Sequence, residues 1–193
     1  MPVWAIVLLV FFGVLILGVF AVIAWIVSVY NSLVKLRNSV EEAFSTMDVY
    51  MKKRYDLIPN FVETVKGYAK HEKEALEKVV AARYSCMSAN SPEEKAQAEN
   101  MLAGTLKTLF SITENYPDLQ ANQNFIELQN TLKSLENEIA ASRKYYNGSV
   151  KILNNKIEMF PSNLIAKWFK FERKVLFEIE NKEERKAPKV DFS

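Results

Sequence analysis

Histidine and cysteine each occur once in the 193 residues, at His71 and Cys86. They are the only side chains that could form a thiol–imidazole pair, in which the imidazole takes the thiol proton. The periodicity places both on a second helix, 15 positions apart, or roughly 22 Å if the helix is straight. One chain cannot bring them together at that separation. The carboxylate pairs Glu41-Glu42 and Glu93-Glu94 read as solvated helix faces. No HExxH, CxxC or phosphate-loop pattern occurs. A lone cysteine excludes an intrachain disulfide and suits a reducing compartment. These residues predict a structural or interaction protein with no catalytic residue, cofactor or metal site. The remaining enzymatic reading is a hydrolase that takes His71 and Cys86 from different chains.

Two further clusters carry charge beside apolar groups. In Lys52-Lys53-Arg54-Tyr55-Asp56-Leu57-Ile58-Pro59-Asn60, Arg54 and Asp56 are expected to bridge to Glu114, Asn122 or Arg143 on other helices. Such a polar layer would set helix register. Solvated residues at a kink are the competing reading. The second cluster runs from Phe160 to Phe177 and mixes nine apolar side chains, Trp168 and Phe169 among them, with Lys167, Lys170, Arg173 and Lys174. That mixture suits an interfacial helix on anionic lipid or on a neighbouring subunit. A short fifth helix packed back on the bundle is the alternative.

Helices must position these groups. Val29, Leu33, Leu36, Val40, Ala43, Met47 and Tyr50 alternate spacings of four and three, as in a coiled-coil seam. Pro59 is expected to interrupt this helix, because proline lacks the N–H and clashes with the preceding turn. A second helix is predicted from Asn60 to Ser88, with Phe61, Val65, Tyr68, Leu76 and Val79 on one side. Ser91-Pro92-Glu93-Glu94 predicts a capped helix start with Glu94 completing a capping box. The third helix carries Ala98, Leu102, Thr105, Leu109 and Ile112, and Asn115-Tyr116-Pro117-Asp118 stops it. The fourth is the longest, with a seam from Phe125 through Leu132, Ile139 and Tyr146 to Leu153, and ends at Pro161. The expected fold is all-α, an antiparallel up-and-down bundle of four long helices with a short fifth. The alternative is one long hairpin in which Pro59 and Pro117 only bend the chain.

Everything before Lys35 is uncharged, and Pro2 to Tyr30 is almost unbroken apolar sequence. A bilayer core of about 30 Å needs about 20 such residues in a helix. Trp4 and Trp25 lie 21 residues apart, roughly 31 Å along a helix, which suits one indole at each interface. A cleaved signal peptide would need a basic start and a shorter apolar core. The expectation is a retained single-pass anchor, with Tyr30 just outside it. Lys35 and Arg37 follow on one side only, so the N-terminus is expected outside and the long domain in the cytoplasm. The chain divides into a transmembrane helix at 1–30, a bundle at 31–160, a membrane-proximal aromatic and basic segment at 161–180, and a charged tail at 181–193. The net charge of +2 supplies no field for nucleic acid.

The run from Tyr30 to Asn38, then Lys53 to Glu72 with Arg54, Tyr55, Asp56, Pro59 and Asn60, resembles the LemA family of bacterial membrane proteins. The likeness continues through Ala82-Arg83, Glu114-Asn115-Tyr116-Pro117-Asp118-Leu119, Ala121-Asn122-Gln123-Asn124-Phe125, Arg143, Tyr146-Asn147 and Phe160 to Ala166. The family often has Trp in place of Phe44 and Gly in place of Lys170. The resemblance implies one N-terminal membrane helix in the bacterial inner membrane and a cytoplasmic up-and-down bundle. It supplies no catalytic residue. One relative takes part in building magnetosome membranes and others are connected with membrane-protein quality control. The expected function is a membrane-anchored scaffold that self-associates on the bilayer. An adaptor for a membrane protease or another quality-control partner is the runner-up.

Overall fold

A computed structural model of the chain describes residues 2–178. The tail expected at 181–193 lies outside the described residues. Six helices follow in order: α1 (Val3–Tyr68), α2 (Lys73–Ser88), α3 (Pro92–Thr113), α4 (Pro117–Gln120), α5 (Gln123–Glu158) and α6 (Ser162–Trp168). No strand occurs among the described residues. The all-α reading is therefore correct. The described residues divide into two compact units, one of residues 2–42 with 148–174 and one of residues 43–147 with 175–178.

The second unit holds the bundle. Each of its helices has partners that fix its direction. Arg54 on α1 meets Glu99 on α3 and Glu136 on α5. Farther along α1, Phe61 stacks on Phe125 at the start of α5 and meets Phe110 near the end of α3 edge to face. Arg83 on α2 reaches back to Tyr55. The bundle stretch of α1, α2, α3 and α5 thus runs up, down, up and down. The seams are buried as expected at Ala43, Met47, Phe125, Leu132, Ile139 and Tyr146. Ser91 accepts from the Glu94 N–H and Glu94 accepts from the Ser91 N–H, so the capping box at the start of α3 is present.

The boundary between the first two helices differs from expectation. Pro59 does not interrupt the first helix but lies inside α1. The chain reverses at Ala69–Glu72, where the Glu72 N–H donates to the Ala69 carbonyl at 3.2 Å. His71 sits in that turn, off α2, while Cys86 is buried on α2.

In the first unit, α1 contributes its apolar N-terminal stretch. It is the one helix among the described residues long and apolar enough to cross a membrane. Near its far end Val29, Leu33 and Val40 are buried, as are Val150, Leu153, Ile165 and Ala166. The segment from Phe160 to Phe177 is not one helix. α6 covers only Ser162–Trp168 and closes with two reverse bonds. The Phe171 N–H donates to the Ala166 carbonyl at 2.9 Å and the Lys170 N–H to Lys167 at 3.3 Å. Lys170 has a φ of 55°, the left-handed geometry of this helix end, which glycine adopts most easily. Beyond it residues 171–178 have no regular structure.

Candidate functional site

The charged cluster on α1 forms a buried polar layer in the middle of the bundle. Arg54 is 1% exposed and Glu99 4%. One guanidinium nitrogen of Arg54 pairs with Glu99 and the other with Glu136, which is half-exposed. The second Glu99 oxygen accepts from the Tyr55 hydroxyl. Arg54 Nε is buried and makes no hydrogen bond. Burial, reinforced by the Glu99 charge, pushes the Tyr55 phenol far up. Burial first and Glu99 second push the Cys86 thiol up from 9.0 to about 12. Both groups therefore stay protonated at neutral pH. The layer holds helices together through charge and offers no ionised nucleophile.

Pro59 explains another member of this layer. A helical residue at 59 would donate its N–H to the carbonyl of residue 55, and proline has none to give. Arg83 supplies the missing donor: its Nε donates to the Tyr55 carbonyl at 2.6 Å. A donor from α2 satisfies the orphaned acceptor, and α1 continues through the proline.

The polar residues singled out in the sequence separate into groups. Arg54 and Tyr55 belong to the buried layer. Asp56, Pro59 and Asn60 are exposed on α1, and Arg54 bridges to none of Glu114, Asn122 or Arg143. Arg143 is half-buried on α5. Glu114 caps the end of α3, and Pro117 starts the single turn of α4. The Tyr116 hydroxyl donates to Glu72 at 2.9 Å. Asn122 accepts from the Phe125 N–H at 3.1 Å, capping α5, and donates to the Tyr68 hydroxyl at 2.9 Å. These last contacts close the tip of the bundle, around the α1–α2 turn.

The missed partners left a signal in the sequence. On α1 the buried positions continue as Met47, Met51, Arg54, Ile58, Phe61 and Val65, so Arg54 occupies a seam position. On α3 the buried seam is Glu99, Leu102, Leu106, Leu109 and Thr113, displaced by one from the expected Thr105 and Ile112. A charged residue in each of two seams marks an internal ion pair.

A second missed feature is a pair of asparagine clamps. In the first unit Asn154 accepts from the Lys174 N–H at 2.9 Å and donates to its carbonyl at 2.8 Å. In the second, Asn147 does the same for Phe177 at 2.8 and 3.0 Å. Tyr146 donates to the Val175 carbonyl at 2.9 Å, and Phe177 is buried. Each side-chain amide pairs with the chain as a strand neighbour would.

The residues expected at a membrane interface lie in the first unit. Trp4 and Trp25 are exposed on α1. The Tyr30 ring packs against Phe169, with centroids 4.7 Å apart, and against Phe171 at 5.9 Å. Arg37 lies over the Phe171 ring at 5.8 Å. Lys35, Lys167, Trp168 and Lys170 are exposed. The structure thus brings Phe169 to the foot of the apolar stretch. No group of three or more His, Cys, Asp or Glu is placed to hold a metal among the described residues.

The sequence profile of the LemA family matches residues 43–192, which is more than half of the chain. Protein LemA of Metamycoplasma hominis is similar, at 27% identity over 140 residues. The match covers 70% of this chain and 63% of that relative, less than two thirds of its length. With its capped all-α bundle and long apolar N-terminal helix, the chain belongs to the LemA family.

Proposed function

We propose that the protein is a membrane-anchored, non-enzymatic scaffold that associates with further copies of itself at the cytoplasmic face of the bacterial inner membrane. The observation that carries this reading is an unpartnered apolar face on the bundle. Val80, Tyr84 and Met87 are exposed on α2 at spacings of four and three, so they share one side of the helix. Val80 and Tyr84 border a groove between α1 and α2 floored by Val62 and Leu76.

The rim of the groove carries both signs of charge. Glu63 pairs with Lys66 at 3.3 Å and Lys73 with Glu77 at 3.7 Å. A two-fold contact places the same patch on both partners, so it needs a surface complementary to itself. Mixed charge around an apolar centre meets that need. An anchor in the bilayer confines copies to two dimensions and raises their effective concentration.

Mass photometry of the full chain in nanodiscs tests this reading. A discrete multi-subunit mass that falls to the monomer in Tyr84→Glu is expected. A monomeric wild-type chain would sink the scaffold and leave the adaptor, and cross-linking in cells would then seek its partner.

A further inference from the structure

We infer that α6 and its flanks form a second membrane contact, a platform that lies in the headgroup layer and binds anionic phospholipid. Three observations in the first unit carry it. The height of the platform is set by the Tyr30–Phe169 contact at 4.7 Å. Tyr30 ends the apolar run of α1, and Trp25 is five residues, roughly 7.5 Å, below it. If α1 spans the bilayer, Phe169 sits where aromatic side chains meet headgroups.

The platform also has an inverted distribution of side chains. Ile165 and Ala166 are buried, yet Phe160 is 79% exposed, Leu164 58% and Trp168 70%. Leu164 and Trp168 are one turn apart on the open face of α6. Water is a poor partner for so much apolar surface in so short a segment, whereas the acyl boundary accepts it.

Charge makes the third argument. Lys167 and Lys170 are exposed beside these rings, and Lys170 holds a left-handed backbone that glycine suits better. No acidic side chain lies between Met159 and Phe171. Basic groups at this depth attract anionic headgroups. The ligand is therefore a lipid phosphate in the leaflet that α1 leaves. The inference needs the membrane anchor of the proposed function but not its self-association.

The chain contains three tryptophans, which gives a direct test in full-length protein. Trp4→Phe with Trp25→Phe leaves Trp168 as the single emitter, and Trp4→Phe with Trp168→Phe leaves Trp25. Each is placed in nanodiscs that contain lipids brominated near the headgroup end of the acyl chain. In phosphatidylglycerol discs Trp168 emission is expected to be blue-shifted and quenched at least about half as strongly as Trp25. In pure phosphatidylcholine, or in Lys167→Gln/Lys170→Gln, quenching of Trp168 should fall about twofold while that of Trp25 is unchanged. Quenched Trp25 with unquenched Trp168 would overturn the platform and leave the anchor standing. Equal quenching of Trp168 in both lipids would overturn the anionic recognition. Leu164→Cys carrying a nitroxide, in a Cys86→Ala chain, gives the same depth reading with all tryptophans intact. A label as accessible to aqueous relaxation agents as a surface site overturns the platform independently.

Discussion

At the scale of the residue, the Arg54 layer is where single changes should cost most. Arg54 and Glu99 are both buried, so removing Arg54 strands the Glu99 charge, whereas removing Glu99 leaves Arg54 its second pair with half-exposed Glu136. Arg54→Ala is expected to destabilise the fold by about 3–5 kcal/mol, and Glu99→Ala by less because Glu136 remains. Replacing both with apolar residues of similar volume should cost far less, because no charge remains stranded. Thermal melts of the full chain, followed by helical circular dichroism, compare the single and double variants. Cys86 makes a separate prediction. Its thiol is raised in the fold from 9.0 to about 12, so the unfolded chain loses this proton first. The stability linked to Cys86 is fully present below pH 9.0 and is lost as pH rises towards 12. Cys86→Ala should make the alkaline decline shallower, and a pH series of melts measures the difference. The layer was only half legible beforehand. Arg54 and Tyr55 stand out by type, but their partner Glu99 lies next to Ala98, on a seam that shares Leu102 and Leu109 with the expected one and is shifted by one at its other positions.

At the scale of the element, α1 owes its continuity through Pro59 to Arg83. The bond from Arg83 Nε to the Tyr55 carbonyl, at 2.6 Å, replaces the bond that proline cannot make. In the native chain Arg83→Met should cost about 1–3 kcal/mol, the usual penalty for an orphaned buried acceptor. In a Pro59→Ala chain residue 59 regains its N–H and can serve the same carbonyl. The cost of Arg83→Met should then fall by about half or more, and a double-mutant cycle in the melting measurement isolates that coupling. Additive costs would show that the two residues act separately. Prolines were otherwise good guides: Pro92 opens α3, and Pro117 opens α4 after α3 has ended. At those two places the local chemistry of a helix start decides the outcome. At Pro59 a side chain from another helix decides it.

At the scale of the whole molecule, the proposed function depends on which side of a bilayer the bundle occupies. Lys35 and Arg37 are the first basic residues after the apolar run, and none precedes it. The positive-inside bias favours such a flank in the cytoplasm, which supports the orientation proposed above. Asn90 is exposed in the α2–α3 connection and gives an accessible reporter. In a Cys86→Ala chain, Asn90→Cys should react with a membrane-impermeant maleimide only after the membrane is opened. Labelling of intact cells would reverse the proposed orientation and with it the leaflet that α6 meets. Assembly belongs to the same scale, and the predicted loss of mass in Tyr84→Glu tests it through the exposed α2 face.

Features that depend on neighbours along the chain follow from local sequence alone. The apolar run of α1, the capping box at Ser91 and the three-and-four seams of α5 were all readable, because helix period and end chemistry act within a few residues. Tertiary structure decided the rest. It carried α1 past Pro59, gave Arg54 to Glu99 and Glu136, and placed Asn154 and Asn147 on the backbone of Lys174 and Phe177. It also set Phe169 against Tyr30. Each of these outcomes satisfies a polar or aromatic group with a partner far away in sequence. No local pattern names that partner, because burial selects it only when the helices meet.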